Sequence, residues 1–276
     1  MVMEEKVLKG KPGMFYLILF ILLYIAAIAL LIVGVNLLEG QTALGGFLAA
    51  VSFLWICFGP ILFLGFKVLG PQEALVLTLF GKYKGTLKKE GFYFVNPFCQ
   101  AINPAAHTRL GQSSDIDSGK PFLLEGVKGV PQKEMMARKK ISLKIMTLSN
   151  GRQKINDALG NPVEVAVAVM WRVVDTAKAV FNVDNYKEFL SLQCDAAVRN
   201  IVRLYPYDVA PNIDTTGDGQ PDEGSLRGSS EVVAERIRKE IQEKVEIAGI
   251  EVLEARITYL AYATEIASVM LQRQQA

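Results

Sequence analysis

Residues able to do chemistry are few and scattered. The chain has one histidine, His107, set between Ala106 and Thr108 in an irregular stretch. Its three cysteines, Cys57, Cys99 and Cys194, lie far apart and none forms a C-x-x-C, so their spacing suggests neither a disulfide framework nor a zinc site. This usage fits a reducing cytoplasmic setting. No G-x-S-x-G, H-E-x-x-H or phosphate-cradling glycine loop occurs. A Ser–Lys pair is a spatial arrangement and leaves no spacing to read. The nearest approach to a ligand set is Asp214-Thr-Thr-Gly-Asp218-Gly219-Gln-Pro-Asp222. It places carboxylates at the first, fifth and ninth positions of an oxygen-ligand calcium loop and glycine at the sixth. The twelfth position, where a bidentate acid belongs, is Ser225, and the third is Thr216. Asp214, Asp218 and Asp222 are therefore an incomplete calcium candidate in what otherwise reads as a solvated insertion loop. No catalytic residue, cofactor or resident metal is expected.

Charge supplies the remaining candidates. The chain carries 30 Lys and Arg against 28 Asp and Glu, a net charge of +2, which leaves no electrostatic footprint for nucleic acid. Lys133, Arg138, Lys139 and Lys140 cluster and could meet anionic lipid head groups, although a solvated face is the simpler reading. Over Ser230–Glu246, Val233, Ile237, Ile241 and Val245 make an apolar helical stripe, while acids and bases interleave on the opposite face. On that face Glu235, Arg238, Lys239 and Glu243 are candidates for pairing between copies of the chain, with an ordinary solvated helix as the equal alternative. Exposed ion pairs contribute only about 0–1 kcal/mol each, so assembly would need apolar contacts or many copies.

The element that must position all of this is the run from Met14 to Phe66. It comprises two uncharged segments, Met14–Val35 and Leu44–Phe66, separated by Asn36, Glu39, Gln41 and Thr42. At about 1.5 Å per residue, each can cross a hydrocarbon core of roughly 30 Å. Met14–Val35 is too long for the apolar region of a signal peptide, and no A-x-A follows it. Lys6, Lys9 and Lys11 precede the hairpin, Lys67, Lys82 and Lys84 follow it, and its connection has no Lys or Arg. The positive-inside rule then puts both flanks in the cytoplasm. Pro60 predicts a kink in the second segment.

Beyond the membrane, turn signals at Gly70-Pro71 and Gly81–Gly85 bracket two strands, Glu73–Phe80 and Thr86–Val95. Ile141, Leu143 and Ile145 predict one face of a strand. Val165, Val167, Val169, Trp171 and Val173 predict the buried face of a longer one. Asp184 is expected to cap a helix reaching Tyr205, Ser229 or Ser230 a second, and Gly249 to end that second helix. Ile250–Leu260 reads as the last strand and Thr264 as the cap of a final helix over Glu265–Gln274.

Four stretches, in this order, resemble the stomatin/prohibitin/flotillin (SPFH, Band 7) family, in particular its bacterial slipin-like members. They are Leu75–Pro97 with Glu90-Gly91-Phe92-Tyr93-Phe94-Val95-Asn96-Pro97-Phe98, Asn161-Pro162-Val163 through Trp171-Arg172-Val173, Ala196–Asn200, and Ala248–Val252 leading into Ala255-Arg256-Ile257. The resemblance implies an α+β fold. A cytoplasmic N-terminal segment (1–13) and a transmembrane helical hairpin (14–66) would precede a cytosolic SPFH domain of antiparallel strands packed with helices (67–262). That domain would carry insertions near 101–140 and 208–228, with the start of a C-terminal helix after it (263–276). The family's long coiled coil is not supplied by fewer than two heptads after Thr264. By the same resemblance, the expected role is a non-catalytic integral membrane scaffold of the bacterial inner membrane. It would self-associate into a homo-oligomer that organises lipids and neighbouring proteins in membrane microdomains. The alternative is a regulatory subunit of a membrane protease or of an OB-fold membrane protein.

Overall fold

In this computed structural model, residues 4–39, 43–108, 139–208 and 224–267 are described. The chain divides into two compact units, Lys6–Ile102 with Lys139–Ile141, and Ser142–Ala276 with Met1–Glu5 and Asn103–Arg138.

The first unit begins with the apolar run. Helix α1 spans Gly13–Glu39 and α2 spans Ala43–Phe58. They pack closely at Gly34, where a Cβ would stand 2.8 Å from the Ala49 amide nitrogen. At Pro60 the helical hydrogen bonding is interrupted: α2 ends at Phe58 and a one-turn helix α3 resumes over Pro60–Phe63, while Gly59 between them keeps helical angles (φ −56°, ψ −36°). Pro60 has no N–H, so the Ile56 carbonyl four residues earlier loses its helical donor. Tyr24 of α1 supplies one, its hydroxyl donating to the Ile56 carbonyl oxygen at 3.1 Å.

Two small sheets follow. Strand β1 (Lys11–Pro12), β2 (Phe66–Leu69) and β5 (Gly91–Phe94) form one, in the order β1-β5-β2. Strands β3 (Glu73–Leu79), β4 (Lys82–Leu87) and β6 (Cys99–Ala101) form the other, in the order β4-β3-β6. Leu69, Leu75, Leu77, Leu87 and Cys99 are the core between them. The β3–β4 hairpin turns more tightly than expected, on Phe80 and Gly81 alone (φ +49° and +79°), the primed geometry that matches strand twist. Lys82–Gly85 belong to β4. The single strand expected over Thr86–Val95 is split, because Lys88–Glu90 leave one sheet and β5 joins the other. The N-terminal residues are also engaged: Leu8 N–H donates to the Thr86 carbonyl and Thr86 N–H to the Lys6 carbonyl, both at 2.8 Å.

The second unit is built on β10 (Pro162–Val173), which pairs along its length with β11 (Ile250–Tyr262). Its other edge is shared by β8 (Met146–Ser149) and β9 (Gln153–Asn156), all antiparallel. The short strand β7 (Ile141–Ser142) that precedes them in the chain is the fourth strand of the β4-β3-β6 sheet, where it pairs with β3. Val163, Val165, Val167, Val169, Trp171 and Val173 are buried, as the alternation predicts. In β8 the expected register is wrong. Met146 and Leu148 are buried while Ile145 is 58% exposed, because the strand starts after Ile145 rather than at Ile141.

Among the described residues, helices α4 (Thr176–Phe181), α5 (Tyr186–Val202) and α6 (Ser230–Val245) accompany this sheet. Asn185, not Asp184, caps α5, its side chain accepting from the amides of Lys187 and Glu188. Ser229 occupies the cap position of α6, but its side chain does not accept from the first-turn amides. Gly249 ends that segment in the left-handed conformation (φ +65°), after a 3-10 turn over Glu246–Ala248. A Cβ there would lie 2.3 Å from the Asp175 carbonyl oxygen, so no other residue fits without movement. Thr264 is already helical in the turn that follows β11, rather than its cap.

Candidate membrane anchor and assembly face

The apolar helices leave their side chains uncovered. Met14 and Leu44 are 62% and 64% exposed, and Val35 is also exposed. Gly13–Leu37 and Leu44–Phe63 are each long and apolar enough to cross a membrane. Phe66 was expected to close the second span. It opens β2 instead, where its ring meets those of Phe63, Phe92 and Phe94 at 5.8, 5.2 and 5.2 Å. Tyr16 and Phe20 of α1 join the same cluster, at 4.9 and 5.3 Å from Phe94. Aromatic rings thus lock the base of the hairpin onto β2 and β5. Directly after it, Lys67 Nζ donates to the Leu64 carbonyl oxygen at 3.1 Å. Burial, and then the nearby charge of Lys139, lower its pKa.

The face on α6 is partly self-satisfied. Arg238 grips Glu235 through two hydrogen bonds, Nε to Oε2 at 2.7 Å and Nη2 to Oε1 at 2.8 Å, and reaches the Val252 carbonyl of β11 at 3.4 Å. The bond to Arg238 holds the Glu235 carboxyl below its ordinary pKa. Lys239 and Glu243, one turn apart, are exposed on the outer surface of the helix. Of the four charged candidates, these two are better placed to meet another molecule. Spacing alone does not reveal the distinction, because Glu235 stands i,i+3 from Arg238 and i,i+4 from Lys239, and Lys239 stands i,i+4 from Glu243, so several local pairings are open to the same charges.

Buried polar groups serve the fold. Asp195 of α5 accepts from Asn150 at 2.7 Å and from Gln153, while Arg199 donates to Gln153 at 3.0 Å. Burial raises the Asp195 pKa, opposed by Arg199, Gln153 and Asn150. Asp157 organises the turn before β10, accepting from the amides of Leu159, Asn161 and Tyr207 at 2.9, 2.7 and 3.1 Å. Cys194 is fully buried and burial pushes its thiol up to about 12, far from nucleophilic range. Cys99 is also buried and its pKa raised by that burial. His107 is exposed at the end of a 3-10 turn over Pro104–His107.

The calcium candidates Asp214, Asp218 and Asp222, together with Lys133 and Arg138 of the basic cluster, lie outside the described residues. Lys140 pairs with Glu73 at 2.7 Å. The end of the expected 208–228 insertion is built into the unit: Ser225 and Leu226 are fully buried, and Leu226 N–H donates to the Pro206 carbonyl at 2.9 Å. Three features carried no sequence signal. One is the Tyr24–Ile56 bond. Another is the grip of Glu5 on the backbone amide of Thr176, at 3.1 Å. The third is an exposed stack of Phe80 on Phe98, with ring centroids 6.1 Å apart.

A search of curated proteins returned no match. The model of the SPFH domain / Band 7 family matches residues 67–276. SPFH domains are non-catalytic scaffolds. Among the described residues, no three His, Cys, Asp or Glu side chains gather to hold a metal ion. The match begins where the apolar helices give way to strand β2 and covers well over half of the sequence, so the chain belongs to the SPFH domain / Band 7 family.

Proposed function

We propose that the protein is a slipin-like scaffold of the bacterial inner membrane, anchored by α1 and α2 as a transmembrane hairpin, with its SPFH domain on the cytoplasmic side. Many copies would associate side by side through that domain and organise lipids and neighbouring membrane proteins into microdomains. The observation that carries this reading is the direct junction of two uncovered apolar helices with an SPFH domain. Confinement to a plane raises the effective concentration of each cytosolic face, so weak contacts of the Lys239–Glu243 type suffice when repeated. Lys6, Lys9 and Lys11 before the hairpin and Lys67, Lys82 and Lys84 after it support the orientation.

The deciding measurement is the mass of the complex extracted in mild detergent. A large discrete homo-oligomer is expected. A monomer that co-purifies at fixed ratio with a membrane protease or an OB-fold membrane protein would replace the scaffold by a partner subunit. Orientation is tested separately by a cysteine introduced at Thr42. An impermeant thiol reagent should label it on intact cells, and labelling only after lysis would invert the topology.

A further inference from the structure

In the unit that carries the hairpin, Phe20, Phe63, Phe66, Phe92 and Phe94 pack against one another. Phe80 and Phe98 do the opposite. They are 83% and 58% exposed and, among the described residues, stack on each other. Phe80 also sits at φ +49°, a region bulky residues avoid. The primed turn requires that backbone; what it does not require is a large apolar ring there, where glycine, asparagine or aspartate is the usual choice.

The location narrows what could cover the pair. Val95 N–H donates to the Gly65 carbonyl oxygen at 2.9 Å, and the apolar helix ends two residues before Gly65, at Phe63. From Val95 the chain enters a turn in which the Asn96 side chain accepts from Phe98 N–H at 3.0 Å and the Asn96 carbonyl from Cys99 N–H at 2.9 Å. Three residues reach at most about 10 Å. The head-group layer beyond the hydrocarbon core is roughly 5–8 Å deep on each side. Phe98, and Phe80 with it, are therefore within reach of that layer. Lys82 and Lys84 follow Phe80 on β4, both exposed, Lys84 as the extra residue of a bulge opposite Leu77 and Thr78. A ring pair flanked by lysines suits an anionic lipid surface better than the apolar face of a protein.

We propose that Phe80 and Phe98 form an aromatic wedge seated in the head-group layer beside the base of the hairpin, with Lys82 and Lys84 on anionic lipid phosphates. The proposal rests on the hairpin crossing that membrane, and the test separates the two. The full chain is reconstituted in vesicles of phosphatidylcholine and phosphatidylglycerol. One preparation carries lipid brominated near mid-chain, and another carries lipid brominated just below the head group. Trp55 in α2 reports the hairpin, and Trp171, fully buried in β10, is the unquenched background. Phe80→Trp and Phe98→Trp each add one emitter at a site that tolerates a larger ring.

Mid-chain bromine should quench Trp55 in the parent. Shallow bromine should quench the emission added by each variant, and aqueous iodide should leave that emission intact. Added emission quenched by iodide and not by bromine would put the pair in water and overturn the wedge while leaving the hairpin in place. Emission reached by neither would mean a protein cover, such as a second copy, and would equally overturn it. A parent unaffected by brominated lipid would remove the hairpin reading and the wedge together.

Discussion

At the residue scale, the polar side chains of this protein hold backbone in place. Asp157 is the clearest case, a buried carboxylate accepting three amides, and the Asn161 side chain besides. Asp157→Ala should destabilise the SPFH domain by about 2–3 kcal/mol in chemical denaturation, the scale for hydrogen bonds to a charged group. Asp195 gives a pH signature of definite sign. Its folded pKa lies above the ordinary 3.8, so its contribution to stability is full below that value and is lost as pH rises through the folded pKa. Asp195→Asn should flatten the stability curve in the window just above pH 3.8, leaving the amide oxygen to accept from Asn150. An unchanged slope there would mean that Asp195 does not titrate differently in the folded state. Tyr24→Phe removes the donor that replaces the proline's missing N–H. It should cost about 0.5–1.5 kcal/mol, the net range for an intramolecular hydrogen bond, read by unfolding from detergent.

At the element scale, the legible parts of the fold were those with strong periodicity. The β10 valine alternation and the α6 stripe needed no partner to be recognised, because burial on one side already shapes their sequence. What was not legible depended on distant chain. Ile145 was placed on the buried face because Ile141, Leu143 and Ile145 alternate, yet the strand takes the opposite register from Met146. A one-residue slip exchanges the faces of a strand, and local pattern could not choose between them. The Thr86–Val95 run was split by sheet membership, a property of topology. For the same reason the insertion was drawn too long. Leu226, fully buried, belongs to the packed unit. Leu226→Ala should cost about 2–5 kcal/mol, whereas a short Gly-Ser link in place of residues 209–223 should leave expression and unfolding unchanged.

At the scale of the whole molecule, the family and the two long apolar helices were readable and assembly was not. The hairpin announces itself by length and lack of charge, and the SPFH domain by four ordered stretches. An assembly face has no such pattern, since Glu235 and Arg238 look as available in sequence as Lys239 and Glu243 do. The structure places the first two in a bidentate pair with each other. Charge reversal by Lys239→Glu should therefore lower the mass of the detergent-extracted complex more than Glu235→Lys does. Raising salt toward 1 M, where screening acts within about 3 Å, should have the same effect on the parent. Equal masses for both variants would remove α6 from the contact.

Strand β5 pairs on one side with Lys11–Pro12, the last residues before the hairpin, and on the other with Phe66–Leu69, the first strand after it. The two legs of the hairpin are thus clasped by a single strand between them. On the proposed reading, in which the hairpin crosses a membrane, a lone tether would let the sheets swivel about the membrane normal, whereas two tethers in one sheet would fix their azimuth. Each copy would then meet its neighbours with a set heading, as a tile with marked edges rather than a bead on a stalk.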